Sequence, residues 1–390
     1  MKIKAYFAAV KKNFKPKHYF NYALVSAVLI LFFLLEMSGL LKRSHANLLA
    51  QIGFSIILAV SLNLVVGFLG ELSLGHAGFM CIGAYIGTWF SSLLAPVISS
   101  FAIRLVLAML VGGAAAALFG ILVGIPALRL KGDYLAIVTL AFGEIVRNIF
   151  KNLPWFGKSF GMQTETYGTK LFIIAFFAVL FTLIIIQNLM RSKHGRAITA
   201  IRDSEIAAKS MGVNVTFYKI LAFSVAAFFA GIAGVIYGAY TTPILYSFFS
   251  FNYSIEILVM VVLGGMGSIT GSIISAALLT YINFLLSANL SGDMAALKYM
   301  IYALILIGMV IYNNAPAFKK YRDRFGFPVL MDRIRERFVR TTPATVKDDA
   351  AAWDRVPTKI LSDEVLSTDL QLMTSAPDKP DKPGKPKGDE

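Results

Sequence analysis

The chain has 390 residues, of which 57% are hydrophobic and 15% charged, with a formal net charge of +15. An ordinary soluble domain is less apolar and more charged, so the composition excludes a soluble enzyme and directs attention to membrane-spanning helices. A single cysteine, Cys81, excludes an intrachain disulfide and a zinc site built from thiolates, and the cations cluster beside apolar runs, which marks membrane topology rather than nucleic-acid binding.

Residues 1–19 form a basic N-terminus carrying Lys2, Lys4, Lys11, Lys12, Lys15 and Lys17. The apolar run from Phe20 to Leu41 is too long for the core of a signal peptide and no small-x-small cleavage site follows, so it is expected to be an uncleaved first span. Crossing a bilayer as helix takes about 20 apolar residues, and further runs of that kind lie near 47–70, 76–95, 101–127, 133–150, 170–190 and 218–240. From Ser254 to Ala288 the apolar run is too long for one helix and is broken by Gly264, Gly265 and Gly267 into a short segment, 254–266, and a full span, 269–288; a last span falls near 297–312. The expectation is an all-α polytopic membrane protein with about ten transmembrane segments. An even number of crossings from a basic, cytoplasmic N-terminus puts Arg129, Lys131, the loop 191–219 and the basic segment 313–340 inside, with both termini cytoplasmic. Lys42, Arg43, Lys151, Lys158 and Lys170 are the cations that do not follow this pattern. The tail, 341–390, ends in repeated Asp-Lys-Pro units and is expected to be disordered, because it lacks the apolar surface to offset chain entropy.

No catalytic chemistry is legible. The fragment FGKS, Phe156 to Ser159, lacks the first glycine of a phosphate loop, since Asn152 stands there, and the glycines of GGMGSITG fail the dinucleotide spacing. His18, His45, His76 and His194 are scattered, with no spacing for a metal pair, and no nucleophile has a base beside it. No catalytic residue, metal site or cofactor is therefore expected in this chain. Glycine is used instead in small-x-x-x-small pairs, Gly83 and Gly87, Gly120 and Gly124, Gly234 and Gly238, Gly267 and Gly271, whose plainest role is close helix packing. The clusters holding Gly67, Gly70, Ser73, Gly75 and His76, and Gly264, Gly265 and Gly267, are candidates for a translocation pathway, because broken helices at membrane depth persist where they are buried in protein or line a cavity.

Intramembrane charge is sparse, and the candidates singled out are Glu36, Glu144, Arg147 and Glu256. Glu144 and Arg147 are three apart and can pair on one helix face, and Glu256 opens the short segment. The loop 191–219 carries Arg191, Lys193, Arg196, Arg202, Lys209 and Lys219 against Asp203 and Glu205. On one continuous helix Ile198, Ile201, Ala208 and Met211 fall in an arc of roughly 140°, which predicts an amphipathic helix ended at Gly212. Such a helix can lie on lipid or fill a groove on a soluble partner.

These residues also carry a family resemblance. The sequence EIAAKSMG, Glu205 to Gly212, resembles the Glu-Ala-Ala loop by which permeases of ATP-binding-cassette importers dock on their ATPase. The stretch around it, GRAITAIRDSEIAAKSMGVNVTFYKILAFSVAAFFAGIAGVIYG, is similar to branched-chain amino-acid permeases of the LivM type in the LivH/LivM family, as are SLNLVVGFLGELSLGHAGFMCIGAY, ALRLKGDYLAIVTLAFGEIVR and SIEILVMVVLGGMGSITGSIISAALL, in the family's order from about residue 50 to 312. The resemblance implies a type II importer-like permease fold in a bacterial inner membrane, with Glu205, Ala207, Ala208 and Gly212 in the ATPase-coupling loop. It further implies a LivH-type permease subunit, two cytoplasmic ABC ATPases that use ATP, and a periplasmic substrate-binding protein as partners. Leucine, isoleucine and valine are the implied cargo, with urea or short-chain amides as the alternative. An ion-coupled secondary transporter would need paired carboxylates, for which Glu144 and Glu256 are the deep candidates. The chain departs from the family at NLPWFGKSFGMQTETYG, where a Gly-Gly-rich Asn-Gly element is common, and its tail has no counterpart there.

Overall fold

The computed structural model describes residues 20–37, 43–127, 130, 132–289 and scattered helical positions between 300 and 311. The chain divides into two units, Met1–Asp332 and Arg333–Glu390, and every described residue belongs to the first. The N-terminus 1–19, the basic segment 313–340, the tail 341–390 and most of the span expected near 297–312 lie outside the described residues.

The apolar runs become helices because a backbone in hydrocarbon must satisfy its own hydrogen bonds. They are α1 (Phe20–Met37), α2 (Arg43–Asn63, continued by a π-helical turn over Leu64–Leu69), α3 (His76–Leu93), α4 (Phe101–Ala127), α5 (Asp133–Asn152), α6 (Leu171–Arg191), α7 (Lys193–Asp203), α8 (Glu205–Ser210), α9 (Val215–Tyr240), α10 (Phe251–Gly264) and α11 (Ile269–Asn289). The first helix stops at Met37 rather than running to Leu41, and α2 begins at Arg43, four residues before the apolar run proper. Among the described residues, five helices are both long and apolar enough to cross a membrane: α2 with its π turn, α4, α6, α9 and α11. The short apolar α10 fits the broken segment expected at 254–266. Of the remaining helices of comparable length, α3 and α5 depart from the lipid-facing composition for different reasons. Enclosure by α4 and α9 lets α3 carry buried His76, Thr88 and Ser91, whereas α5 keeps polar residues on an open face.

Three helices form the centre. Helices α3, α4 and α9 pack at backbone distance: a Cβ placed on Gly83 of α3 would fall 2.2 Å from the carbonyl oxygen of Gly231 on α9, and one on Gly234 would fall 2.0 Å from that of Met80. Gly87 and Gly112 meet in the same way between α3 and α4. Helix α2 threads beside this trio, against α6, α9 and α11; 89% of its most apolar window is buried, against 33% for α4 and for α11, so α2 is interior and the other two are peripheral.

Two connections re-enter the bundle. After Leu69 the chain turns at Gly70, whose φ of +81° is a left-handed value that glycine adopts freely, and runs back until His76 lies 2.9 Å from Ser61 of α2. At 1.5 Å per residue this is about 12 Å in from the end of that helix, so α3 starts inside the bundle. The segment after α9 returns similarly, with Ile244 accepting from the Tyr85 hydroxyl at 3.0 Å, and α10 then starts where Ser254 accepts the backbone N–H of Ala77 at 3.1 Å.

Candidate coupling and translocation site

The polar insert between α6 and α9 is two helices. Ser192 caps α7, its hydroxyl accepting from the N–H groups of His194 and Gly195. At Ser204 the backbone is extended (φ −160°, ψ 108°), and its hydroxyl caps α8 by accepting from Ala207 at 3.3 Å. Helix α8 ends as the sequence predicts at Gly212, with φ +81°; Gly212 donates to the Lys209 carbonyl at 3.0 Å and Val213 to that of Ala208 at 3.1 Å, the paired bonds of a Schellman cap. Ala208 and Val213 then meet in an apolar cluster with Ile198, Ile201, Leu64, Leu69 and Ala222.

The break at Ser204 corrects the expectation of one continuous stripe. Ile198, Ile201 and Ala208 are buried as expected, but Met211 is 84% exposed and stands with Ile206, 79% exposed, on the outer side of α8. The 3.6-residue phase does not survive an extended residue, so the arc drawn through Met211 does not exist. Ala208 is small because its own chain encloses it; Ala207 and Gly212 are exposed.

Ionic and polar contacts fasten this insert to the re-entrant segment. Lys219 of α9, 3% exposed, lies 2.5 Å from Glu71 and 3.3 Å from Glu205, so one buried ammonium joins the turn after α2 to the start of α8. Arg202, at the end of α7, donates to the carbonyl of Gly67 at 3.1 Å and holds Asp203 through Nε and Nη2. Gly67 crosses the breaker between α10 and α11 so closely that a Cβ there would fall 2.3 Å from the Gly267 nitrogen. Asn63, fully buried, holds that crossing: its amide donates to the Ser268 carbonyl at 3.1 Å and the Ser272 hydroxyl at 2.9 Å, and its Oδ1 accepts from Gly267 at 2.9 Å. Gly265 and Gly267 have φ of +88° and +83°, and Gly264 packs on the backbone of Gly271.

The remaining candidates lie deeper. Gly75 packs on the Thr139 carbonyl, while the Thr139 hydroxyl accepts from the Leu74 N–H at 3.0 Å. Ser73 is buried, and its hydroxyl has no partner among the described residues. Glu144 and Arg147 pair at 2.5 Å as their spacing predicts, and the other Glu144 oxygen accepts the N–H of Phe251, the first residue of α10, at 3.2 Å. Glu256 does not open the short segment. It sits inside α10, which begins at Phe251, and accepts from Asn283 of α11 at 3.3 Å.

Residues 44–310 match the family described as branched-chain amino acid transport system / permease component. The chain belongs to that family. Over 308 residues it is 35% identical to the high-affinity branched-chain amino acid transport system permease protein LivM of Salmonella typhimurium, covering 70% of each chain. It is 33% identical to LivM of Escherichia coli, covering 66% of each, and 28% identical over 153 residues to the LivH permease protein of Salmonella typhimurium, covering 39% of this chain and 48% of that one. No solved structure matches the chain. This is a family of membrane transporters, not of enzymes, and the described apolar helices agree with a multi-pass membrane protein.

In this permease, reading the sequence missed Asn63, Glu71, Arg104, Arg202 and Lys219 as structural participants. Arg104 and Lys219 sit in or at the edge of apolar spans, which was signal enough to single them out. Arg104 is 6% exposed and pairs at 2.8 Å with Glu165, tying α4 to the α5–α6 connection at the other end of the bundle. Nothing local to Asn63 or Glu71 marks their partners, which lie 204 and 148 positions away.

Proposed function

We propose that this chain is the LivM-type permease subunit of an ATP-driven importer in a bacterial inner membrane and forms the pathway by which leucine, isoleucine and valine enter the cell. A LivH-type permease completes the pathway, two cytoplasmic ATPases bind and hydrolyse ATP, and a periplasmic binding protein delivers the amino acid. Both termini and the α7–α8 end face the cytoplasm. The observation that carries the reading is α8 itself, a short capped helix that turns Ile206 and Met211 outward while Ala208, Glu205 and the neighbouring Arg202 tie it to the re-entrant segment. An exposed apolar tip on a firmly anchored base is what a docking lever requires: the ATPase seats on the tip and its movement is delivered to Gly67 and Gly267.

Reconstitution of the four kinds of subunit into liposomes tests this. ATP-dependent, binding-protein-dependent uptake of leucine, isoleucine and valine is expected, and Ile206→Ser combined with Met211→Ser should release the ATPase without lowering permease yield, since exposed substitutions shift stability by roughly 0.5 kcal/mol or less. Uptake of urea or short amides in place of amino acids would reassign the cargo; uptake driven by an ion gradient without ATP would overturn the reading.

A further inference from the structure

The open face of α5 is apolar near its start, where Tyr134 and Ile137 are exposed, and becomes mixed toward its C-terminal end. Helix α4 exposes Ile103, Val106, Leu110, Leu118 and Leu122, as lipid contact demands. Helix α5 exposes Asn148 and Asn152 and partly exposes Glu144, four residues apart in turn and therefore on one strip, with Ile145 (59% exposed) and Ile149 (51%) on the strip beside it. Asn148 donates to the Glu144 carbonyl and Asn152 to the Asn148 carbonyl, both at 2.8 Å, so each carboxamide spends a donor on its own helix and keeps its oxygen as an acceptor. These residues and Leu153, all of α5 and its end, border a shallow open groove of about 560 Å³ that no other described element walls in. At the inner end of the strip stands the Glu144–Arg147 pair, each side chain about a quarter exposed, with Glu144 also fixed by the N-terminal N–H of α10.

We propose that this groove is a stretch of the transport pathway and receives a small zwitterion with an aliphatic side chain; the inference rests on the importer reading above and adds where the cargo passes. The cargo's ammonium is accepted by Glu144 and the carboxamide oxygens, its carboxylate by Arg147, and its hydrocarbon lies on Ile145 and Ile149. Because Glu144 and Arg147 already neutralise each other, a zwitterion exchanges partners with them and leaves no charge unpaired, whereas a cation or an anion alone strands one of the two. Packing by a neighbouring helix is the rival explanation of the face; the closest helix contacts of the centre run through glycine, as at Gly83 and Gly231, whereas α5 presents Ile and Asn here, and the test below separates the two.

The test uses the full complex in liposomes with Cys81→Ser, the native thiol being buried. Asn148→Cys should react with a charged, membrane-impermeant methanethiosulfonate, and transport conditions with leucine-loaded binding protein and ATP should slow that reaction. Ile184→Cys, on an exposed apolar face of α6, should not react. Asn148→Leu should lower leucine uptake about tenfold, the loss of one hydrogen bond to a charged group, while assembly and stimulated ATP hydrolysis persist. An unreactive thiol in Asn148→Cys together with normal uptake by Asn148→Leu would return the face to lipid or to a partner helix and overturn the proposal. A reactive thiol in Asn148→Cys, in a complex whose unmodified form carries no amino acid in a full panel, would fail the importer reading instead, leaving a hydrated groove with a different cargo and the zwitterion assignment overturned.

Discussion

The α3–α4–α9 centre and the α7–α8 end both bring glycine against backbone, and they do so to opposite purpose. In the centre, Gly83, Gly231 and Gly234 let helices touch along ridges that are apolar, so the contact is broad and has one best arrangement. At the other end, the Gly67–Gly267 crossing is held by a few directional bonds through Asn63 and Arg202 and by the Lys219 ion pairs. A contact made of a few directed polar bonds can be exchanged for another set, while interdigitated backbone cannot slide without opening voids. The first region is therefore the harder to rearrange, and under the proposed importer reading the second is the part that would transmit movement.

The largest effect should come from breaking the rigid region. Gly83→Val puts methyl groups where the Gly231 backbone lies, with backbone rather than a flexible side chain in the way; a loss of about 3 kcal/mol or more is expected, read as loss of monodisperse complex on gel filtration in detergent. Recovery of normal amounts of folded complex would show that α3 and α9 can separate, and the centre would be no more rigid than the α7–α8 end.

An intermediate effect belongs to Lys219→Met. Removing the ammonium leaves the Glu71 and Glu205 carboxylates facing each other's charge with no cation between them, at a cost of roughly 3 kcal/mol, seen as a lower thermal midpoint of the complex together with uncoupled ATP hydrolysis. A lowered midpoint with fully coupled transport would limit Lys219 to a structural role and remove it from the transmitting set.

The smallest change in stability is expected for Gly212→Val. Beyond its chain neighbours, no described residue lies within 4 Å of a Cβ at that position, so the penalty is conformational, roughly 1–2 kcal/mol for a left-handed residue. It should distort the end of α8 and weaken ATPase retention in a pull-down while the thermal midpoint of the centre stays put. Undiminished ATPase retention would mean that the docking surface does not include the α8 terminus.

Much of this was legible in the sequence. Apolar runs, glycine breaks and the stop at Gly212 determined where most helices form and end, because these depend on local backbone physics and on the demand that a chain in lipid satisfy its own hydrogen bonds, whereas Ser204 caps a new helix where the sequence pattern predicts helix interior. The Glu144–Arg147 pair was legible for the same reason, its members being one turn apart. Tertiary structure alone decided which face of each helix is enclosed: it took Met211 out of the buried stripe once Ser204 broke the helix, and it brought Asn63 to Gly267 and Lys219 to Glu71 across most of the chain's length. Those contacts depend on how α2, α9 and α11 lie against one another, and no local pattern of residues encodes a relation between segments so far apart.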